Sequence, residues 1–237
     1  MRNLNPKIFL DAYRQAFPKP VLTPQAAEGL PALLTSLMQD SEIEDVRWAA
    51  YMLATVKHEC ANAWRPITER GPDSYFDKYN AGTVLGARLG NTQPGDGFRF
   101  RGRGFVQITG RINYGALGKA LHLGAQLLEN PEMALKPEVA FAIMSHGMRH
   151  GSFTGRRLEQ FFNSTQTDYL NARKIINGLD QAQKIGDYAI ALEKALALAT
   201  ERHTLVAVPA KPASPATAAG VAPVPAVPAV APIGMAA

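Results

Sequence analysis

The sequence predicts a mainly α-helical domain with at most a small β element, followed by a tail rich in alanine and proline. Apolar residues recur at three- and four-residue steps in several segments, which is the helical period. From Val206 to Ala237 the chain is almost entirely Ala, Pro and Val, and repeated proline disfavours helices and central strands. Since 46% of the 237 residues are hydrophobic, residues 1–205 can bury a core. Residues 206–237 are expected to form a disordered tail.

Two helices begin with recognisable start signals. Thr23 followed by Pro24 is a cap-then-proline signal, although Pro31 leaves open whether one kinked helix or two short helices follow. Asp45 is placed to cap a stronger helix, whose apolar residues form a stripe. The predicted helices after the first start signal cover residues 46–60, 138–149, 167–176 and 182–200.

The segment between Arg65 and Arg111 has a different pattern, because glycines punctuate it throughout. A long irregular segment inside a compact domain usually carries function. Short strands are expected at residues 97–100 and 104–108.

Charge and cysteine content restrict the class of protein. The formal net charge of +5 favours an anionic partner: nucleic acid, an anionic membrane or an acidic wall polymer. Cys60 is the single cysteine, so an intrachain disulfide is impossible and a reducing compartment is expected. The first residues lack the apolar run of a secretory signal, and no long apolar stretch suggests a membrane span. We therefore expect synthesis in the cytoplasm, and another factor must deliver the protein to any external substrate.

Glu59 is the first candidate for acid–base chemistry. It follows Val56 by three residues and Met52 by seven, which places its carboxyl on or beside the apolar stripe. Loss of hydration there disfavours the ionised form and raises the pKa, as a general acid requires. The alternative is a structural ion pair with Lys57 or an arginine.

Glu69 is the second candidate, in a polar loop between Arg65 and Arg70. Neighbouring positive charge favours the ionised form and lowers the pKa of a carboxyl. Glycosidases need two carboxyls with such opposite tendencies. A surface ion pair is the alternative for Glu69.

A zinc hydrolase is one competing interpretation. His146 and His150 are spaced to place two ligands on one helix face, and His58 or Glu59 would be added to them. However, Asn62 stands where a second histidine after His58 would be needed, so the ligand set is incomplete.

Two other chemistries compete with acid–base catalysis. Cys60 could be a nucleophile, although a lone cysteine on a helix is more often a small core residue. A cluster of arginines could bind nucleic acid, neutralise an acidic polymer or pair with internal carboxylates such as Asp73 and Asp96. The cluster, interleaved with phenylalanines, consists of Arg99, Arg101, Arg103 and Arg111.

Several stretches, in this order, resemble the family 19 glycoside hydrolases, which include chitinases and phage or bacterial endolysins. They are residues 57–59 (KHE), 64–71 (WRPITERG), 91–97 (NTQPGDG), 101–114 (RGRGFVQITGRINY) and 176–178 (ING). The resemblance covers about residues 45–200. It implies a lysozyme-like helical domain with two lobes around a central cleft.

The resemblance also implies roles for individual residues. Glu59 would be the general acid, and Glu69 the general base, holding the attacking water together with Thr109. Contacts with the sugar and its N-acetyl group are expected from Gln107, Asn113 and Asn177, and from His58 and Tyr114, which belong to the same motifs.

The predicted reaction is inverting hydrolysis of β-1,4 bonds between N-acetylated amino sugars, without a metal or organic cofactor. The short spacing of the two glutamates resembles the endolysin branch, and the basic charge suits an anionic wall, so peptidoglycan is the preferred substrate and chitin the alternative. A non-catalytic wall-binding module is the alternative from another class. We expect a monomer with no nucleic-acid partner and no stable membrane insertion.

Overall fold

The computed structural model describes residues 4–201, and within them the predicted fold class is confirmed. Nine α-helices and one two-stranded sheet make up the regular structure of this range, together with short 3₁₀-helices. The helices are α1 (Pro6–Ala16), α2 (Pro24–Gln39), α3 (Val46–Glu59), α4 (Val84–Arg88), α5 (Asp96–Arg99), α6 (Arg111–Ala120), α7 (Gln126–Glu129), α8 (Pro137–His150) and α9 (Ala182–Glu201). The strands β1 (Ile67–Thr68) and β2 (Arg103–Gly104) pair antiparallel. The expected tail, residues 206–237, lies outside the described residues.

Both predicted helix starts are confirmed. The hydroxyl of Thr23 accepts a hydrogen bond from the backbone N–H of Ala26 at 3.2 Å, and α2 continues through Pro31 as one helix. The carboxylate of Asp45 accepts from the backbone N–H of Arg47 at 2.8 Å and so caps α3. Each cap satisfies a backbone donor that the first helical turn leaves free.

The strand expected at residues 97–100 is wrong, because this segment forms the short helix α5. Gly95 has a φ of +81°, which turns the chain before the helix. The carboxylate of Asp96, the first helical residue, accepts from the backbone N–H groups of Thr92 and Gln93 at 2.9 and 3.0 Å. This local turn decides the conformation, and the apolar alternation around Phe98 does not.

The helix expected at residues 167–176 is also wrong. Thr167 forms an isolated β-bridge with Phe162, and only Asn171–Ile175 forms a 3₁₀-helix. The carboxylate of Asp168 accepts from the backbone N–H and the side-chain amide of Asn171, at 2.9 and 2.8 Å. Such side-chain bonds to nearby backbone compete with α-helical ones.

Helix α3 is the centre of the core. Every residue from Ala49 to Lys57 is buried, so α3 is covered on all sides instead of along one stripe. It packs against α9, and α9 packs in turn against α1. The last residue of α3 is Glu59, which this packing places at a fixed point on the edge of the core.

A second, smaller cluster of buried residues lies apart from the main core. It consists of Phe76, Tyr79 and Leu89. The 3₁₀-helix Asp73–Tyr79 supplies two of these residues, and it packs against α4 and α5. The chain between the two clusters includes β1 and Glu69.

Within residues 4–201, no helix is both long enough and apolar enough to cross a bilayer.

Gly29 in α2 lies against the loop that joins the two candidate glutamates. A Cβ atom at Gly29 would lie 2.2 Å from the carbonyl oxygen of Trp64, which is backbone and cannot move aside easily. We expect Gly29→Ala to lower the free energy of unfolding by roughly 1–3 kcal/mol, in the range for overpacking. Urea unfolding followed by circular dichroism measures the change.

Gly186→Ala is the matched control, because Gly186 is also inside a helix. Its Cβ would meet no atom closer than 3.5 Å. Alanine there should leave stability unchanged or raise it by up to about 1 kcal/mol, through helix propensity alone. Equal effects of the two substitutions would contradict the close approach of α2 to Trp64.

Candidate active site

Glu59 forms a buried ion pair with Arg173. Nη1 of Arg173 donates to Oε1 of Glu59 at 2.6 Å, and the Arg173 side chain is 1% exposed. Nε of Arg173 donates to the carbonyl of Asp180 at 3.1 Å, and the backbone N–H of Asn177 donates to the carbonyl of Arg173 at 2.9 Å. The segment that carries the Asn-Gly motif therefore also carries the partner of Glu59.

The position of Glu59 explains why it needs this partner. As the last residue of α3, it lies beside unsatisfied carbonyl groups at the negative end of the helix dipole. A carboxylate is unfavourable there unless a cation compensates it. Arg173 supplies that cation from 114 positions away in the sequence. The apolar stripe of α3 did not indicate this contact. The sequence offered an ion pair between Glu59 and an arginine as an alternative, but it did not identify Arg173 as that arginine.

Glu69 is buried and held by two donors. The hydroxyl of Tyr79 donates to Oε1 at 3.2 Å, and the backbone N–H of Gly102 donates to Oε2 at 2.9 Å. The backbone N–H of Glu69 donates to the carbonyl of Gly102 at 2.8 Å. Burial and the neighbouring Glu69 carboxylate raise the pKa of Tyr79, so its hydroxyl stays protonated as a donor. Sequence reasoning did not identify Tyr79, because nothing local to its segment marks it.

The arginines expected to accompany Glu69 lie further out. Arg65 and Arg70 are both exposed, and neither makes an ion pair with a carboxylate in the described part of the chain. The orientation of Glu69 therefore comes from a phenol and a peptide N–H. The exposed arginines contribute only longer-range charge.

Gln107 lies next to Glu69 in the turn that follows β2. It has a φ of +54°, and its Nε2 donates to the carbonyls of Ile67 and Gly104, both at 2.9 Å. These two acceptors fix which end of the amide is nitrogen, and Oε1 is left buried without a partner within residues 4–201. A Cβ at Gly102 would lie 3.0 Å from this Oε1 and 3.1 Å from Oε2 of Glu69. An unfilled acceptor and a carboxylate thus converge beside Gly102.

The same turn approaches the end of α3. The thiol of Cys60 lies 3.7 Å from the carbonyl of Phe105. Burial raises the pKa of this thiol, so Cys60 is protonated and packed, which is unsuitable for a nucleophile. Glu69 and Cys60, the residue that follows Glu59, therefore both contact one turn, residues 102–108.

The loop between the two glutamates is strained. Ala61, Asn62 and Trp64 all have positive φ values, of 48°, 62° and 54°. Such conformations are costly outside glycine and persist where surrounding contacts impose them. Nζ of Lys57 donates to Oδ1 of Asn62 at 2.7 Å and to the hydroxyl of Tyr13 at 3.0 Å. A buried lysine thus holds the loop in place.

Thr109, Asn113 and Tyr114 surround the start of α6. The hydroxyl of Thr109 donates to the carbonyl of Gln107 at 3.1 Å, and Nδ2 of Asn113 donates to the carbonyl of Thr109 at 2.7 Å. Tyr114 is fully buried, and its hydroxyl donates to the carbonyl of Arg101 and accepts from Arg103. Tyr114 therefore has no free surface for a substrate, and it supports the arginines instead.

His58 and Asn177 are half-buried on the Arg173 side. Burial lowers the pKa of His58, so its imidazole is neutral at neutral pH. Oδ1 of Asn177 accepts from the backbone N–H of Gly178 at 2.7 Å. His58 and Asn177 therefore lie on the side of Glu59 and Arg173, whereas Gln107 lies next to Glu69.

A groove opens on the Glu69 side, with a volume of about 600 Å³. Its lining includes Glu69, Arg70 and Arg101, with the rings of Phe76 and Phe98. Two hollows share lining residues with this groove. The first, of about 470 Å³, shares Phe98 and Arg101, and the second, of about 420 Å³, shares Arg65.

The competing metal interpretation finds no third ligand. The rings of His146 and His150 lie 4.3 Å apart between centroids. Within residues 4–201, however, no three His, Cys, Asp or Glu side chains come together as a metal site needs. Burial lowers the pKa of His146 to about 4, as expected for a neutral histidine packed on a helix face.

The ion pair predicts a coupled effect on stability. Glu59→Gln should leave the protein folded but less stable by about 3–5 kcal/mol, because it leaves the buried Arg173 cation without a counter-charge. Arg173→Met should also destabilise, and the double variant should lose less than the sum of the single losses, by about 0.5–3 kcal/mol. Urea unfolding of the four proteins measures this coupling. Additive losses would contradict the contact.

Lys57 predicts a pH dependence of stability. Burial lowers its pKa to about 8 from 10.5, and Lys184 adds to the effect. Between these values the unfolded chain binds more protons than the folded chain, so the free energy of unfolding rises with pH. The faces of Phe17 and Tyr188, 4.3 and 5.1 Å from Nζ, offset part of this by favouring the cation.

Between pH 7.5 and 9.5, we expect the free energy of unfolding of wild type to rise by about 2 kcal/mol relative to that of Lys57→Met. Groups common to both proteins, including Cys60, cancel in this difference. Lys119→Met, which removes an exposed lysine, should show no such difference from wild type. If the free energies of unfolding of wild type and Lys57→Met change in parallel with pH, a lowered pKa of Lys57 is excluded.

No model of a known protein family matches the chain, and no curated protein matches it in sequence. Solved structures do share its fold. Chitinase C from Streptomyces griseus matches with a TM-score of 0.51 at 19% identity, over 84% of this chain and 78% of that one. A mutant of chitinase C matches with a TM-score of 0.54 at 21% identity, over the same shares. A bacterial family 19 chitinase matches with a TM-score of 0.45 at 20% identity, over 78% of this chain and 93% of that one. The chain therefore has the helical fold of chitinase C.

Proposed function

We propose that this protein is an endo-acting glycoside hydrolase that cleaves β-1,4 bonds between N-acetylated amino sugars. The observation that carries the proposal is that Glu69 and Cys60, the residue after Glu59, both contact the 102–108 turn, while the two glutamate side chains have different environments. Glu59 pairs with a buried cation at a helix end, and Glu69 accepts from a phenol and a peptide N–H. The groove of about 600 Å³ beside Glu69 offers space for a segment of a glycan chain.

Glu59 is the general acid in this proposal. Arg173 occupies Oε1, so Oε2 is the atom that we assign to take up the proton when Glu59 is in its acid form. In transferring that proton to the glycosidic oxygen, Glu59 returns to the carboxylate that pairs with Arg173. Arg173 then stabilises the charge that develops, and because it is already in place no reorganisation is needed.

Glu69 is the general base that deprotonates the attacking water. Tyr79 and Gly102 hold its carboxylate in one orientation, and Thr109 is proposed to hold the water with it. The free Oε1 of Gln107 can accept from a substrate amide or hydroxyl. Water attack opposite the leaving group inverts the anomeric carbon, and inverting enzymes separate their carboxyls by about 6.5–9.5 Å to admit that water.

Peptidoglycan is the proposed substrate, and the cleavage would be of the endolysin type. The net charge of +5 favours association with an anionic wall, and Arg65, Arg70 and Arg101 line the groove beside Glu69. Chitin is the second candidate, because the solved structures that share the fold are named chitinases. A non-catalytic glycan-binding module would use the same groove and release no reducing ends.

Glu59→Gln and Glu69→Gln should each lower turnover by roughly 10²–10⁴, the usual contribution of a positioned acid or base. The variants should still bind glycan, and circular dichroism should show them folded. Activity is measured by turbidity loss of permeabilised bacterial cells and by reducing-end release from colloidal chitin. Glu28→Gln, an exposed glutamate on α2, is the control and should keep full activity.

The anomeric form of the first products tests the stereochemistry. We expect NMR of a short digest to show the α-anomer before mutarotation. An initial β-anomer would exclude the single-displacement scheme. If wild type binds glycan without releasing reducing ends, the binding-module interpretation replaces the enzyme.

A further inference from the structure

Three of the four clustered arginines are used by the fold. Nε of Arg111 donates to Asp96 at 2.8 Å. Arg103 donates to Oε1 of Glu132 through Nε and Nη2, at 3.0 and 2.6 Å. Nη2 of Arg99 donates to the carbonyls of Leu128 and Glu129 at the end of α7. Arg103 and Arg111 are therefore paired with carboxylates, whereas the exposed Arg99 binds backbone carbonyls.

Arg101 differs from the exposed Arg99 because its side chain is largely buried. Its Nη1 donates to the carbonyl of Phe98 at 2.7 Å, which provides no negative charge. Its nearest carboxylate oxygen is Oε1 of Glu132, 3.9 Å from Nη2, and that oxygen already accepts two hydrogen bonds from Arg103. Among the described residues, Arg101 has no carboxylate of its own.

The surroundings make this cation short of counter-charge. Burial and the neighbouring Arg103 lower the pKa of Arg101, although a guanidinium remains protonated at neutral pH. Its side chain is only 17% exposed. A half-buried cation without a matched anion is unfavourable, and an incoming anion would relieve it.

The exposed part of Arg101 belongs to the Glu69 groove. Arg101 and Glu69 both line it, and Gly102, which binds Oε2 of Glu69, is the next residue in the chain. The guanidinium stacks on the ring of Phe98 at 3.9 Å, which fixes its plane. Phe98 itself is 43% exposed and offers an apolar face at the same place.

We propose that Arg101 is a specificity-determining residue that binds a carboxylate carried by the sugar bound in the groove next to Glu69. The inference rests on the proposed glycosidase function and adds the substrate class: an amino-sugar polymer with carboxylate substituents. A fixed guanidinium can hold a carboxylate through two parallel hydrogen bonds. Neutral chitin offers no such group, whereas a wall glycan carries carboxylates on its lactyl ether or on the attached peptide.

The experiment compares kcat/KM on three substrates: N-acetylglucosamine oligomers, peptide-free wall glycan and peptide-bearing wall glycan. For Arg101→Gln, we expect the ratio of charged to neutral kcat/KM to fall at least tenfold, mainly through KM. Arg101→Lys keeps the charge without the planar fork and should recover part of the ratio. A fall of the ratio on the peptide-free wall glycan identifies the lactyl carboxylate as the partner of Arg101. A fall on the peptide-bearing glycan alone identifies a carboxylate of the peptide.

Arg88→Gln is the matched control, because it removes the same charge from an exposed site on α4 outside the groove. It should leave the ratio within twofold of wild type. An equal fall for both variants would assign the preference to overall charge and overturn the role of Arg101. Equal losses on neutral and charged substrates would assign Arg101 a purely structural role.

The outcome for wild type separates this inference from the proposed function. Cleavage of all three substrates with no preference for the charged ones would retain the glycosidase and remove the Arg101 proposal. No cleavage of any substrate would remove both. Preferential cleavage of a charged substrate that depends on Arg101 would support both together.

Discussion

The ion pair between Glu59 and Arg173 is the interaction on which the arrangement of the site depends. A carboxylate at the end of a buried helix faces both dehydration and the negative end of the helix dipole. Arg173 makes this placement tolerable, and the same arginine is tied through its Nε and its backbone to the segment around Asn177 and Asp180. One contact therefore joins the core helix α3 to the chain segment that carries Asn177 and Asp180.

Glu69 is positioned in a different way. Its backbone and side chain both bond to Gly102, and the absence of a side chain at Gly102 lets Gln107 approach the same point. Glu59 and Glu69 are thus supported independently, one by a charge from a distant segment and one by a local backbone turn. Independent supports allow the two carboxyls to keep different environments although only a short loop separates them.

The helical class, the caps at Thr23 and Asp45, and the long helices α3, α8 and α9 could be predicted from the sequence, since each has a local signal of capping or period. The strand expected around Phe98 and the helix expected after Thr167 were wrong, because turns made by Asp96 and Asp168 decided those segments. The pairing of Glu59 with Arg173 could not be predicted, because no local pattern links residues so far apart in the chain. The same holds for Tyr79, whose hydroxyl reaches Glu69 across ten positions.

The likeness to chitinase C, at about one residue in five identical, is a likeness of fold. At this identity the side chains on the wall of the groove beside Glu69 are this chain's own. In this chain the wall carries more positive than negative groups, with Arg65, Arg70 and Arg101 against Glu69 and Asp73.

Trp64 gives the protein a built-in optical reporter. It is one of two tryptophans, it is fully buried, and it ends the strained loop that joins the two glutamates. Its indole lies 6.0 Å from the Lys57 ammonium and edge-on to Tyr13. Its emission should therefore respond to any rearrangement of that loop, so such a rearrangement can be followed by intrinsic fluorescence without an attached dye.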